Sequence, residues 1–318
     1  MRFFVTGATG FVGRALVQEL RGHDVQAFHR AGSDVSSLPC RTVEGDLLSV
    51  DDLAEAMTGC DGVFHVAGNT SWFRGDRKSV WRANVESTRA VIEAMRRARV
   101  RRGVLTSSVS AIGLTGDTRP ADETTPWNWP DSFCYPRSKR AAEELWLSQN
   151  GGLEMVAVNP ATVFGPGDRK MTVGLIFRKL RAGRFPRIRT GGFSAVDVRD
   201  AARGHVLAFE RGRPGEKYIL GGANLENRTA VDLFAREVGV EPPAREIGPG
   251  ILRFAYGLAR VLECAGGRID VAAAHLWCMT RHVWHSTEKA VRELGFAPRP
   301  FAETVRDSVA WYHARGLL

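Results

Sequence analysis

The chain has 318 residues, 44% of them hydrophobic and 25% charged, which suits a soluble globular protein of one large domain or two intimate ones. Its 44 Lys and Arg against 35 Asp and Glu give a net charge of +9, but only six of the cations are lysines, the arginines are scattered and no nucleic-acid motif accompanies them, so a nucleic-acid partner is not expected. Five cysteines without metal-ligand spacing argue for reduced thiols and against a metal site; an apolar strand from Arg2 leaves no room for a leader and no apolar run reaches ~18 residues, so a cytoplasmic protein is expected.

Apolar runs near 3–6, 24–28, 41–44, 62–66, 103–106 and 153–158 read as buried parallel strands, with helical patterns near 11–21, 51–58, 79–99 and 135–149 between them. The alternation predicts an α/β fold with a doubly wound parallel sheet, whose ligand crevice lies outside the carboxyl ends of the strands. After about residue 160 the alternation stops. Residues 164–192 are rich in Gly and Arg around one short helix near 173–182. Further helices are expected near 228–239 and 286–295, and an amphipathic helix near 301–315 closes the chain.

Two motifs fall at strand ends. Gly7-Ala8-Thr9-Gly10-Phe11-Val12-Gly13 is a G-x-x-G-x-x-G turn between the first strand and the first helix. Its glycines let a dinucleotide pyrophosphate approach the backbone, and the helix N-terminus offers free N–H groups. Tyr135 and Lys139 are four residues apart, hence on one helical face, where an ammonium would favour the phenolate and lower the phenol pKa. Arg30 ends the second strand, with Ser33 close by and no acidic residue until Asp34. A cation there suits the 2′-phosphate of NADP(H) and an acid the ribose hydroxyls of NAD(H), so NADP(H) is favoured, with a plain surface arginine as the alternative. Ala67 and Gly68, after the fourth strand, are small enough to let the chain pass close to such a cofactor, with plain tight packing as the alternative.

With these motifs the chain resembles the extended short-chain dehydrogenase/reductases (the NAD-dependent epimerase/dehydratase superfamily) over nearly its whole length. Gly45-Asp46-Leu47, His65-Val66-Ala67-Gly68, Thr106-Ser107-Ser108 and Asn159-Pro160-Ala161-Thr162-Val163 extend the match. Residues 122–126 and 218–222 point to the branch of dihydroflavonol 4-reductase-like and hopanoid-associated epimerase-like proteins. The resemblance implies a Rossmann domain over 1–160, rejoined by segments near 195–222 and 282–285, and a smaller C-terminal substrate lobe made mainly by 161–318. It implies Ser108, Tyr135 and Lys139 as the catalytic set, with Ser107 and Ser110 as rivals for the hydroxyl and Lys139 also on the nicotinamide ribose. Further cofactor contacts implied are Asp46 (or a helix cap in its place), Leu47, Asn84 (or a structural mid-helix residue), Pro160, Thr162 and Val163. His65 is read as buried and hydrogen-bonded, and His282 and His285 as strand or loop residues.

Trp72, Phe73, Trp127, Trp129 and Phe133 fall on loops where the family builds its pocket and suggest an apolar or ring-bearing substrate, with ordinary loop packing as the alternative. Arg178, Lys179, Arg181, Arg184, Arg187 and Arg189 would bind a phosphorylated tail or form a solvated face. Residues 251–262 read as an apolar helix packed over the substrate lobe, with membrane-surface contact or dimerisation as alternatives; monomer and homodimer both stay open.

The leading function is an NADPH-dependent reductase of a ketone or aldehyde on a small apolar or aromatic metabolite. A sugar-nucleotide epimerase would use the same three residues but hold NAD tightly, and commonly shows Val-Tyr-Gly where this chain has Ala111-Ile112-Gly113. A 4,6-dehydratase would need an Asp-Glu pair where Val109-Ser110 follow Ser108. A non-catalytic NADP-binding regulator would be expected to lack Tyr135 or Lys139.

Overall fold

The computed structural model describes residues 1–149, 151–268 and 270–318. Its strands are β1 (Arg2–Thr6), β2 (Asp24–His29), β3 (Arg41–Glu44), β4 (Gly62–His65), β5 (Arg102–Thr106), β6 (Glu154–Pro160), β7 (Thr162–Phe164), β8 (Arg187–Ile188), β9 (Gly192–Asp197), β10 (Lys217–Leu220), β11 (Ala223–Glu226), β12 (Glu246–Ile247) and β13 (His282–Val283). Its helices are α1 (Phe11–Glu19), α2 (Val50–Met57), α3 (Arg77–Trp81), α4 (Ser87–Arg97), α5 (Cys134–Leu147), α6 (Gly174–Arg181), α7 (Val198–Arg211), α8 (Asn227–Glu237), α9 (Pro249–Cys264), α10 (Ala273–Cys278), α11 (Glu288–Leu294) and α12 (Phe301–His313).

Seven parallel strands form one sheet in the order β10-β6-β5-β4-β1-β2-β3. Phe3, Phe4 and Val5 of β1 are all buried, because helices cover both faces of a parallel sheet. Leu16 and Val17 of α1, Val206 and Phe209 of α7 and Leu294 of α11 close one face. Leu53 and Met57 of α2, Val91 and Met95 of α4 and Trp146 of α5 close the other. The expected helix near 79–99 is interrupted: a π-helical turn (Arg82–Glu86) joins α3 to α4 and carries Asn84.

The second lobe is built around Phe164, Phe177, Phe234, Phe301 and Tyr312, from β7, α6, α8 and α12. The segment expected to rejoin the first domain divides. α7 and β10 lie in the layers of the large sheet, whereas β9 belongs to a four-stranded second sheet with β7, β11 and β13. Residues 282–285 therefore depart from expectation: β13 runs parallel along β9, pairing His282 with Gly192 and Val283 with Phe193. The edge of β9 takes them, and they meet the first domain through a bridge between Ala121 and His285.

Candidate active site

β1 runs at Thr6 into the glycine turn. A Cβ on Gly7, which has φ +68°, would stand 2.6 Å from the Ala67 N, and one on Gly13 would stand 2.1 Å from the Gly7 carbonyl. The turn thus lies hard against the end of β4. α1 follows with Gly10 as N-cap, no side-chain cap and no acidic residue in its first turn, which begins Phe11, Val12, Gly13. Uncapped N–H groups at a helix start, with no side chain in front of them, fit a pyrophosphate. Thr9 offers its carbonyl to Arg14 Nε at 3.1 Å.

Arg30 follows β2 and is exposed. The first acid after it, Asp34, accepts from Arg169 Nη1 at 2.8 Å and lies 3.5 Å from Arg14 Nη2. Arg169 also donates to Ser37 at 3.1 Å, so the loop after β7 is tied across to the loop after β2. Asp46 is exposed and its carboxylate accepts from Leu48 N at 3.0 Å, turning the chain past half-buried Leu47 towards α2.

Ala67 N donates to Thr6 Oγ1 at 3.2 Å, and a Cβ on Gly68 would stand 3.3 Å from Lys139 Nζ. Asn84 is buried; its Oδ1 accepts from Asn69 N at 2.7 Å, and its Nδ2 donates to Asn69 O at 3.0 Å and Ser138 Oγ at 2.8 Å. These bonds hold the loop after β4 against α5. The π turn is what aims Asn84 there.

Tyr135 and Lys139 share a buried face of α5, 8% and 6% exposed, and Pro136 fits the first turn beside them. Lys139 Nζ donates to the Thr106 carbonyl at 2.8 Å. Burial lowers the Lys139 pKa to about 8, with the Glu143 charge opposing. Ser108, half-buried, follows the end of β5 by two residues and accepts from Ser110 N at 3.2 Å and Ser110 Oγ at 2.9 Å. Ser110 thus backs Ser108, while Ser107 Oγ is buried without a partner.

The expected downward shift of the phenol is not found. Burial raises the Tyr135 pKa, opposed by a hydrogen bond with Ser108, and Lys139 is turned to the Thr106 carbonyl. Asn159, whose Nδ2 donates to Ser108 O at 2.9 Å, leaves its Oδ1 buried and unpartnered like Ser107 Oγ. Two orphaned polar atoms at the ends of β5 and β6 fit the polar edge of a nicotinamide ring. Pro160 ends β6, and Thr162 and Val163 open β7.

The aromatic loops gather beside this centre. The Trp72 ring lies 5.2 Å from Tyr135, 5.0 Å from His275 and 5.9 Å from Trp129. Trp129 and Phe133 both meet Trp277, at 5.6 and 5.4 Å. Trp127 donates its N–H to Ser110 O at 3.3 Å and lies under Arg140. Phe73 stands apart, under Arg268 at 4.1 Å. Sequence reasoning missed Tyr256, His275 and Trp277, which complete the cluster from α9 and α10; no motif marks that segment. The basic run divides instead of forming one patch. Arg187 pairs with Asp232 at 2.8 Å and Glu246 at 3.4 Å, Arg189 with Glu246 at 3.5 Å, and Lys179 with Asp270 at 3.8 Å.

A family model described as the NAD dependent epimerase/dehydratase family matches residues 3–221. The chain belongs to this family. A relative in it, a candidate dihydroflavonol 4-reductase from Synechocystis sp., is 35% identical over 99% of this chain and 95% of its own. A 4-hydroxy-2-methyl-3-oxo-4-farnesyl-3,4-dihydroquinoline-1-oxide ketoreductase from Stigmatella aurantiaca is 35% identical over 94% of this chain and 92% of its own. Among solved structures, that of gox2253 superposes with a TM-score of 0.85 at 36% identity, covering 99% of both chains. Family and relatives together make the protein an oxidoreductase that uses a nicotinamide cofactor and a small-molecule substrate.

Proposed function

We propose that the protein is an NADPH-dependent reductase of a ketone or aldehyde on an apolar, ring-bearing metabolite, acting in the cytoplasm where its cysteines stay thiols. The contact of the Trp72 ring with Tyr135 carries this reading, because it makes the wall beside the acid/base group aromatic. Of the basic residues that a sugar-nucleotide tail would need, Lys179, Arg187 and Arg189 are paired with carboxylates. Arg30 supports NADPH, since Asp34, the first acid that could take ribose hydroxyls, is already held by Arg14 and Arg169.

In this reading the glycine turn and the start of α1 hold the pyrophosphate, and Lys139 holds the nicotinamide ribose. When bound, the cofactor supplies hydride to the carbonyl carbon. Ser108 and Tyr135 hold the carbonyl oxygen, and the Tyr135 hydroxyl gives its proton to that oxygen as negative charge develops there. Lys139, charged at neutral pH, stabilises the phenolate left behind until solvent returns the proton. A raised phenol pKa keeps Tyr135 protonated, as a proton donor in the reductive direction must be.

The test is NADPH consumption by the purified protein against panels of aromatic and alicyclic ketones and aldehydes, with UDP- and GDP-sugars scored for epimerisation. Turnover of ring-bearing carbonyls with NADPH is expected. Epimerisation of a sugar nucleotide without net cofactor consumption would replace the reading, and NADPH binding without turnover of any carbonyl would favour a regulator.

A further inference from the structure

A folded chain seldom leaves a buried polar atom without a partner, because its desolvation is then uncompensated. His285, two residues beyond β13, leaves two: it is 2% exposed, and both Nδ1 and Nε2 are buried without a hydrogen bond. No other side chain among the described residues has two such atoms. Burial lowers the pKa to about 4, so at neutral pH the ring is uncharged and carries one N–H donor and one acceptor nitrogen. An apolar side chain would fill the same space without the unpaired groups.

The backbone of His285 is firmly held. Its N donates to Ser194 Oγ of β9 at 2.9 Å, and its carbonyl accepts from Asn224 Nδ2 of β11 at 3.1 Å. The residues on either side stitch the second lobe to the first: Ala121 N donates to Trp284 O at 2.8 Å, and Ser286 N donates to Ala121 O at 2.7 Å. The carbonyls that face the ring are those of Val283 and Val109, neither in hydrogen-bonding geometry with a ring nitrogen. Val109 follows Ser108 directly and opens the short turn Val109–Ala111 that Ser108 caps. Its carbonyl accepts from Ile112 N at 3.0 Å and has a second lone pair to offer. A fixed donor of the second lobe thus stands against the loop that carries Ser108, with the bond between them unmade.

We propose that His285 is a positioning residue for Ser108: when a carbonyl substrate engages Ser108, the imidazole N–H donates to the Val109 carbonyl and holds the loop in the geometry that reduction needs. The inference rests on the reductase reading, which gives Ser108 its role. A bond absent from the free enzyme and made in the loaded one favours the reacting complex over the resting one, so it raises turnover and not affinity alone. The unpaired ring of the resting state is the other side of that difference, a destabilisation kept at the one place where loading relieves it.

The experiment compares His285→Leu, which removes both nitrogens at similar volume, with His285→Asn and His285→Gln, whose amide nitrogens can stand where Nδ1 and Nε2 do. Melting temperature, NADPH affinity by cofactor fluorescence, and kcat and KM on a ring-bearing carbonyl that the unmodified protein reduces are read for each. His285→Leu should melt at or above the unmodified protein and bind NADPH as tightly, yet lose about tenfold in kcat, the factor that one hydrogen bond supplies. One of the two amides should restore most of the loss. Unchanged kcat in His285→Leu overturns the proposal. So does a kcat that falls together with the melting temperature and is restored by neither amide, which would leave His285 a packing residue. An unmodified protein that reduces no carbonyl overturns the reductase reading before any variant is compared, and this proposal with it.

Discussion

Glu143 lies one helical turn beyond Lys139 and is itself 2% exposed, accepting from Lys217 Nζ at 3.1 Å and Asn159 Nδ2 at 2.5 Å. Asn159 Nδ2 also holds the Ser108 carbonyl, so one carboxylate links the helix of Lys139 to the loop of Ser108. Its charge opposes the burial that brings Lys139 to about 8. Glu143→Gln should therefore lower the Lys139 pKa further and move the alkaline limb of turnover down by about one pH unit. An unmoved pH profile with only a lower melting temperature would reduce Glu143 to a structural role.

Tyr135→Phe removes the proton donor and leaves the ring. Turnover should fall by roughly 10²–10⁴-fold with NADPH affinity nearly unchanged, as read by cofactor fluorescence. Lys139→Ala should damage both quantities. Near-normal turnover of the Tyr135→Phe protein would end the mechanistic assignment.

Arg30→Ala should narrow the preference for NADPH over NADH by about 1–3 kcal/mol, the scale of a charge-assisted hydrogen bond. Equal affinities in the unmodified protein would instead favour a tightly held NAD.

Trp72 and Trp129 should separate. Trp129 is 4% exposed and donates its N–H to Ile112 O at 2.7 Å, so Trp129→Ala should cost about 3–5 kcal/mol of stability. Trp72 is half-buried against Tyr135, and Trp72→Ala should raise KM about tenfold with a smaller effect on melting. Identical effects of the two changes in steady-state kinetics and thermal melts would remove Trp72 from the pocket wall.

Burial lowers the pKa of His65 to about 3 and those of His205, His275 and His285 to about 4. A histidine depressed in the folded state adds stability that is complete above its unfolded pKa near 6.5 and is lost as pH falls towards the folded value. Each should withdraw about 2 kcal/mol between pH 7 and pH 5. Urea unfolding at the two pH values measures the sum, and a loss below about 1 kcal/mol would mean that these imidazoles titrate normally.

The large sheet was legible because its strands are buried on both faces and so appear as uninterrupted apolar runs; Phe3-Phe4-Val5 is the clearest. The turn between the first strand and helix and the shared face of Tyr135 and Lys139 were legible because residue type and spacing fix them, whereas Ser108 was singled out by the family resemblance alone. What escaped depends on contacts distant in sequence. The π turn that aims Asn84 at Asn69 carries no local mark, since any helical sequence can accommodate one. His275 reaches Trp72 across about 200 positions, and only the packing of α10 brings them together. The Tyr135 pKa ran against expectation because i,i+4 spacing gives proximity on a helix but says nothing of burial or of the carbonyl that claims the ammonium.

The ion pair between Arg169 and Asp34 joins two loops that leave different layers of the protein, and Gly167 on one of them lies over the Phe11 ring at the start of α1. In the proposed reading, with the cofactor on the glycine turn, the two loops would form a strap beside it. Both partners are about half exposed, with side-chain exposures of 44% and 55%, so the pair adds little to folding stability. Its effect falls on time instead. In that reading a cofactor beneath the strap would leave no faster than the strap opens, and added salt, by loosening the pair, should shorten the residence of the spent cofactor.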